Sequence, residues 1–467
     1  MGDIGWKEEC GICGIWGHNE AANYTYLALH ALQHRGQESA GLASANGGDL
    51  YIHRGMGLVQ DVFNKDILKR LKGRAAIGHV RYSTTGASHL RNAQPIAVHT
   101  EKTVLAVAHN GNLVNSDSVR RQLEAEGAIF QSTMDTEVIV HLIARSKRRN
   151  LRNRVIDALS QLRGSWCLVF LTPDRMIAAR DPRGFRPLVL GKVRKAPVVA
   201  SETNSLDLIG GEFEREVAPG ELLEISEKGV RSYRPFKNSG LARCIFEFIY
   251  FARPDSYLFE QDVYQVRKEF GKRLFQEQPV KADMVVPVPD SGLPAALGFS
   301  MASGINFEMG LVRSHYVGRT FIEPAQSIRH FGVKLKLNAN KRLLKGKKIV
   351  LVDDSLVRGT TMRKLVKMIR SAGARQVHVR ISAPPIIGSC PYGIDTPTRK
   401  ELIASTHTVN EVQKLIGATS LGYLSRQGLL EAAGGPDGFC HACFSGEYPI
   451  EPEPRSKPAR EPREVND

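Results

Sequence analysis

The stretch Val350-Leu351-Val352-Asp353-Asp354-Ser355-Leu356-Val357-Arg358-Gly359-Thr360-Thr361 decides the fold of the second half of the chain. From Lys347 to Val352 a β-branched apolar run suits a strand buried on both faces of a parallel sheet, and ligands bind at the carboxyl end of such strands. Asp353 and Asp354 leave that end together, so two acceptors can meet the 2- and 3-hydroxyls of a ribose or share a hydrated Mg²⁺. Arg358, Gly359, Thr360 and Thr361 then bring backbone N–H groups, two hydroxyls and a guanidinium around a phosphate at the start of a helix running from Met362 to Ser371. An acid pair closing a strand and a threonine capping a helix is the plainer alternative. The order of the parts favours a ribose-phosphate site.

The same stretch resembles the 5-phosphoribosyl-1-pyrophosphate (PRPP) loop of type I phosphoribosyltransferases. The resemblance implies that the paired acids face the ribose while the following loop grips the 5-phosphate. Upstream, the apolar strand Met284 to Val288 ends in Pro289-Asp290-Ser291-Gly292, a tight turn with free N–H groups suited to pyrophosphate. In the family that turn serves the metal, which implies Ser291, Asp353 and Asp354 around one Mg²⁺ per subunit. Between Arg313 and Asn340 the chain is polar and basic, with Arg319, Arg329, Lys334 and Lys336. It reads as a lid that excludes water and brings Tyr316 and Lys336 to the PRPP, or as a solvated basic loop.

The amino-terminal half opens on Glu8-Glu9-Cys10-Gly11-Ile12-Cys13-Gly14, followed by His34-Arg35-Gly36-Gln37-Glu38. This resembles a class II glutamine amidotransferase, in which an N-terminal cysteine is both nucleophile and bearer of a free α-amine that titrates near neutral pH. The resemblance implies that Met1 to Glu9 is a propeptide removed to expose Cys10; the segment lacks the apolar core of a secretory signal. Three further segments match. Within Gly78-His79-Val80-Arg81, Arg81 is suited to clamp the glutamine α-carboxylate. In Ala108-His109-Asn110-Gly111-Asn112-Leu113, the Asn110 amide and Gly111 N–H form an oxyanion hole. In Thr133-Met134-Asp135-Thr136, Asp135 accepts the α-ammonium. Singly, these are a surface arginine, a turn and an aspartate capping a helix from Thr136 to Lys147.

Cys10 and Cys13 form a C-x-x-C pair, compatible with a redox or metal motif, whereas Cys13 also reads as a small buried hydrophobe. Cys167 reads as a strand core residue. Cys244, Cys390, Cys440 and Cys443 come from three distant segments and provide four thiolates for a [4Fe-4S] cluster or a structural Zn²⁺, between which spacing does not choose.

Composition sets bounds. The chain has 467 residues, of which 42% are hydrophobic, a formal net charge of +16 and seven cysteines. That length predicts two or three domains, and no apolar run reaches the ~18–20 residues of a membrane span. The cysteines without a secretory signal point to the reducing cytosol. The positive charge is compatible with nucleic acid, but no nucleic-acid motif accompanies it, and polyanionic ligands account for part of it.

The two resemblances together cover nearly the whole chain. With Ile249-Tyr250-Phe251-Ala252-Arg253-Pro254-Asp255-Ser256, Tyr316-Val317-Gly318-Arg319-Thr320 and Lys336-Leu337-Asn338, the chain resembles the amidophosphoribosyltransferase family, in its iron-sulfur, propeptide-processed branch. That implies an α/β protein. An αββα Ntn-hydrolase glutaminase domain spans residues 10–240, and a type I phosphoribosyltransferase doubly wound domain with the cluster cysteines spans 241–447. A disordered tail, 448–467, follows. The resemblance further implies glutamine and PRPP as substrates, purine synthesis as the pathway, AMP, ADP and GMP as inhibitors, a homotetramer in the cytoplasm, and neither nucleic acid nor membrane as partner.

Overall fold

The computed structural model describes residues 10–82, 89–100, 103–237, 239–314 and 337–453. Tyr316, Lys336, the basic segment around them, Met1 to Glu9 and most of the tail lie outside the described residues.

The first half is built from two stacked antiparallel sheets. One runs in the order Glu212–Glu216, Val189–Val193, Ala196–Ala200, Gly11–Trp16, Ala75–Arg81, Ser39–Asn46, Asp49–Met56. The other runs Gly229–Tyr233, Leu222–Ser226, Arg175–Arg180, Gly164–Thr172, Thr103–Leu113, Ile96–Thr100. Side chains alternate across each strand, so each sheet has two buried faces. Ile12, Ile77, Ala108 and Val169 pack between the sheets. Cys13, Ile15 and Val80 pack outward with Ala28 and Leu29 of the helix Ala21–Ala31. On the far side, Val107, Leu168 and Phe170 meet Val138, Ile139 and Val155 of the helices Asp135–Arg145 and Leu151–Leu159. The result is the expected αββα sandwich.

This layering decides the role of Cys13. It is fully buried on the helix-facing side, where burial pushes its thiol up to about 12. Three residues of extended chain separate it from Cys10 by roughly 10 Å, beyond the ~7 Å Cα separation a disulfide spans. The C-x-x-C spacing is therefore no redox or metal pair, and Cys13 is a core residue, as is Cys167.

The second half centres on a parallel sheet ordered Met284–Pro287, Lys348–Asp353, Gln376–Ile381, Ser420–Tyr423. Phe307 pairs in parallel with Val285, which is also partnered by Val350 from the other side. The chain thus moves outward from the first strand, then returns across it to form the next. That reversal is the switch point of a doubly wound sheet, and it lies beside the carboxyl end of Lys348–Asp353. Val350 and Val352 face the helices Val263–Glu277 and Leu293–Ser303. Ile349 and Leu351 face Thr360–Ser371 and Val409–Ile416. Each fully buried valine or leucine here contributes ~1.5–3 kcal/mol by leaving water, which explains the unbroken apolar run.

One apolar core continues from Cys13 and Leu29 through Ile245, Phe246 and Phe248 to Val285 and Val350, so the two halves share a core. Cys244 N–H donates to the Phe185 carbonyl at 2.9 Å and Ala242 N–H to that of Arg183 at 2.9 Å, adding backbone pairing across the junction. No helix among the described residues is long and apolar enough to cross a membrane.

The helices Val263–Glu277 and Leu293–Ser303 touch backbone to backbone. A Cβ at Gly271 would lie 1.8 Å from the Ala295 carbonyl oxygen, and one at Gly298 would lie 1.9 Å from that of Lys268. Gly271→Ala therefore forces the helices apart and lowers stability by ~1–3 kcal/mol, the usual cost of overpacking. Differential scanning calorimetry should show a fall of several degrees; an unchanged transition would contradict the close crossing.

Candidate active site

The residues expected from the sequence to face glutamine collect at one end of the layer between the two sheets. Ile12 and Ile77 mark the strand faces that point into this layer from the first sheet, and Ala106 and Ala108 mark the face from the second. Two residues on along the same faces stand Cys10, then His79 and Arg81, and Asn110. His79 Nε2 lies 3.0 Å from the His109 carbonyl and ties the sheets together at this end. Cys10 is buried, with its Sγ 3.7 Å from the Tyr82 carbonyl. Arg81 is buried with its guanidinium 3.6 Å from Glu38. Asn110 is also buried, and its Nδ2 has no hydrogen-bond partner among the described residues. An unused buried donor costs about 1–3 kcal/mol and calls for an explanation. Gly111 follows with φ 146°.

Asp135 is the first residue of its helix, and Met134 occupies the capping position. Asp135 therefore does not take the capping place that its residue type alone offers. Its carboxylate instead accepts from Leu113 N–H at 2.9 Å, on the strand that carries Asn110 and Gly111, and lies 3.7 Å from His109 Nδ1. Burial alone would raise its pKa. The His109 charge and the hydrogen bonds from His109, Leu113 and Thr136 outweigh that and hold it below the usual carboxylate range.

At the switch point, Asp353 closes its strand and Asp354 is buried behind it. Asp354 N–H donates to Asp353 Oδ1 at 3.0 Å, and Ser355 Oγ to Asp354 at 2.5 Å. Burial, and next the Asp354 charge, push Asp353 well above its ordinary value. Two carboxyls that repel in a half-dry site fit a divalent cation, which removes the repulsion, or polyol hydroxyls. Val288 N–H donates to the Val352 carbonyl at 2.8 Å, and a Cβ at Gly292 would lie 2.5 Å from the same oxygen, so the turn carrying Ser291 abuts the acid pair. Gly359, with φ 72°, opens the helix Thr360–Ser371. This leaves the N–H groups of Thr360 and Thr361 in the first turn, where an anion is favoured. The Arg358 guanidinium donates to Glu401 at 3.0 Å.

Four cysteines share one place. Arg243–Cys244 pairs in parallel with Phe439–Cys440, setting Cys244 opposite Cys440. Ile387 and Gly388 N–H groups both donate to the Cys443 carbonyl, at 2.9 and 3.0 Å, which brings the Cys390 segment alongside. Cys244, Cys390, Cys440 and Cys443 line a cavity of about 20 Å³ together with Tyr392 and Arg186. Burial pushes Cys440 up to about 12, and burial followed by the three neighbouring thiols raises Cys443 well above its ordinary value. Four thiols crowded in this way fit a metal centre, which takes the place of their protons.

The strongest tie between these places is one that sequence reading missed. Arg35 is fully buried: its Nε donates to the Cys10 carbonyl at 3.0 Å, while its terminal nitrogens meet Glu202 at 2.5 Å and Glu247 at 2.7 Å. Glu202 also holds His34 at 2.7 Å, Ser256 Oγ at 2.7 Å and the Arg253 N–H at 3.0 Å. Arg186 lies 3.5 Å from Glu247 and donates to the Tyr392 carbonyl at 3.0 Å. The available signal was Glu247 itself, a lone charge inside the apolar run Ile245-Phe246-Glu247-Phe248-Ile249.

Burial would raise the Glu202 carboxyl, but His34 and Arg35 outweigh it and hold it far below the usual range. A depressed folded pKa stabilises above the unfolded value of about 4.3 and is lost as pH falls toward the folded one. Glu202→Gln should therefore lower the unfolding temperature at pH 7, and the gap to the parent should narrow below about pH 4. Calorimetry at both pH values checks this; a gap independent of pH would contradict it.

Residues 79–208 match the glutamine amidotransferase domain family, and residues 255–385 match the phosphoribosyl transferase domain family. The chain is 52% identical over 450 residues to a chloroplastic amidophosphoribosyltransferase of Glycine max, covering 96% of this chain and 79% of that one. To the Bacillus subtilis amidophosphoribosyltransferase it is 49% identical over 453 residues, covering 96% and 95%. Among solved structures, the glutamine PRPP amidotransferase from B. subtilis, complexed with ADP and GMP, superposes with a TM-score of 0.91 at 48% identity, covering 95% of this chain and 98% of that one. The chain belongs to the amidophosphoribosyltransferase family.

Proposed function

We propose that the family's activity, a glutamine-dependent phosphoribosyl transfer in purine synthesis, is carried out by the following residues of this chain. The observation that carries the reading is the buried Asn110 amide with no protein partner among the described residues, at the end of the layer where Cys10 and Arg81 also lie. A tetrahedral oxyanion supplies the missing acceptor.

Arg81 holds the glutamine α-carboxylate and Asp135 the α-ammonium. The Cys10 sulfur attacks the side-chain amide carbon, and Asn110 and Gly111 hold the oxygen as it becomes negative. The amide nitrogen leaves as ammonia after taking a proton, and water cleaves the thioester to glutamate. The α-amine that assists these proton transfers requires removal of Met1 to Glu9. Ammonia then attacks C1 of PRPP, the bond to pyrophosphate breaks, and 5-phosphoribosylamine forms. Asp353 and Asp354 orient the ribose, and Arg358, Gly359, Thr360 and Thr361 hold the 5-phosphate. Ser291, Asp353 and Asp354 would hold Mg²⁺, which when bound would supply positive charge to the departing pyrophosphate. Tyr316 and Lys336 complete the PRPP site.

The glutaminase domain comprises residues 10–240, the phosphoribosyltransferase domain 241–447, and the tail follows. Cys244, Cys390, Cys440 and Cys443 hold a [4Fe-4S] cluster, with a structural Zn²⁺ as the less favoured alternative. Its role is structural, because neither amide cleavage nor ribosyl transfer moves an electron. AMP, ADP and GMP inhibit a cytoplasmic homotetramer. The ADP and GMP in the B. subtilis structure support nucleotide regulation.

Asn110→Ala should lower the glutamine-dependent kcat by ~10²–10³-fold, the cost of one oxyanion donor. Pyrophosphate release with an ammonium salt in place of glutamine should remain. Loss of both activities, or of neither, would overturn the assignment. Analysis of the purified chain should find about four irons and four acid-labile sulfides per subunit, the content of one such cluster. Zinc without sulfide would replace the cluster reading. Intact mass of the active enzyme should begin at Cys10.

A further inference from the structure

The cysteine centre and the oxyanion strand meet backbone to backbone. A Cβ added at Gly393 would lie 3.0 Å from the carbonyl carbon of Gly111 and 3.2 Å from its Cα and oxygen. Gly393 also adopts φ 107°, a conformation that side-chain-bearing residues rarely take. A Cβ at Gly111 itself would lie 2.2 Å from the Ser165 carbonyl oxygen. The Gly111 peptide is thus met closely by two backbones, with slack toward neither. The next residue is tethered to the same turn, since Asn112 Nδ2 donates to the Pro391 carbonyl at 2.8 Å.

The turn is itself well held. Tyr392 N–H donates to Cys390 Sγ at 3.3 Å, its carbonyl accepts from the buried Arg186 at 3.0 Å, and its ring stacks on Phe185 with centroids 4.4 Å apart. Cys390 N–H donates to Thr396 Oγ1 at 2.7 Å. Every one of these contacts stiffens the segment that presses on Gly111.

The geometry points to Gly393 as a positioning residue for the glutamine half-reaction: its bare Cα, carried on the Cys390 turn, fixes the Gly111 peptide against Ser165. This rests on the proposed role of Gly111 as an oxyanion donor. Such donors act at about 2.7–3.1 Å from the oxyanion, and loss of one costs ~10²–10³-fold in kcat, so a shift of a few tenths of an ångström is expected to cost about tenfold. Glutamine itself, held elsewhere by its α-groups, is not expected to bind less well. A metal ligand three residues from Gly393 thereby acquires a mechanical connection to the glutaminase chemistry.

The test uses the full, processed, metal-loaded chain. In Gly393→Ala, glutamine-dependent glutamate release should fall about tenfold in kcat with KM within twofold. Affinity for glutamate γ-semialdehyde, whose hemithioacetal with a thiol places an oxygen in the hole, should fall by a similar factor, while glutamate affinity should not change. Ammonia-dependent pyrophosphate release and iron content should match the parent. An unchanged kcat and aldehyde affinity at full iron content would overturn the proposal. If Gly393→Ala does not fold or loses its iron, Asn112→Ala decides, because it removes the tether without crowding Gly393. The same kcat-only loss supports the proposal, and parental kcat overturns it. Asn110→Ala separates the two readings: if it leaves kcat intact, the oxyanion assignment fails; if it abolishes turnover while Gly393→Ala and Asn112→Ala do not, only the positioning role fails.

Discussion

A single guanidinium sets the geometry on which both halves depend. Arg35 is removed from water and spends its donors on the carbonyl of Cys10, on Glu202 from the same half and on Glu247 from the other. Desolvating these charges costs several kcal/mol per ion, and only near-ideal geometry and additional hydrogen bonds repay it. The network has them: Glu202 accepts from His34, Asn204, Ser256 and the Arg253 backbone, and Glu247 is met by Arg186 as well. Such an arrangement tolerates little displacement of any member, because a buried charge without its partner costs ~3–5 kcal/mol. The backbone of Cys10 is therefore located, through Arg35, by a carboxylate 212 positions beyond that arginine.

That rigidity has a chemical reason. Ammonia released in water is largely protonated and no longer a nucleophile, so a transfer from glutamine to a ribose needs its two centres in a fixed relation. Domains joined by small polar interfaces move relative to one another. Here an apolar core runs unbroken from Leu29 through Phe248 to Val350, and the charged network lies within its boundary. Parallel pairing of Arg243–Cys244 with Phe439–Cys440 fastens the far end of the chain to the same junction. The cysteine centre thus closes a loop of structure that begins at Cys10.

What sequence revealed and what it concealed follow from the range of the interactions. The acid pair, the strand before it and the helix after it are encoded within a dozen consecutive residues, and apolar periodicity exposes them. The αββα layering was legible through family resemblance more than through periodicity, because strands buried on both faces do not alternate. Of Arg35, Glu202 and Glu247 only the last was legible, as a charge in apolar company, since the partners are far apart in sequence. Cys13 left two readings open, and strand alternation decides for the buried hydrophobe: proximity in sequence is not proximity in space when neighbours turn to opposite faces. Asp135 reads as a cap by residue type alone, and only the third dimension turns its carboxylate toward Leu113.

Both reaction centres carry polar groups that the protein leaves unsatisfied. Asn110 keeps a buried amide without a protein acceptor among the described residues, while Asp353 and Asp354 keep two carboxyls in mutual repulsion. Around Glu202, by contrast, a buried carboxylate is met by hydrogen bonds from His34, Arg35, Asn204 and Ser256. The contrast follows from how catalysis uses binding energy. A donor already paired in the resting protein must break that bond before it meets an oxyanion, so its net contribution shrinks; an unpaired one contributes in full, and only when negative charge develops. In the same way, repulsion between the two acids is relieved by a proton or by a cation, so relief becomes part of the affinity for a positively charged ligand. Each site is left unsatisfied for the group it is built to receive, and the shared core and the Arg35 network supply the stability that lets it remain so.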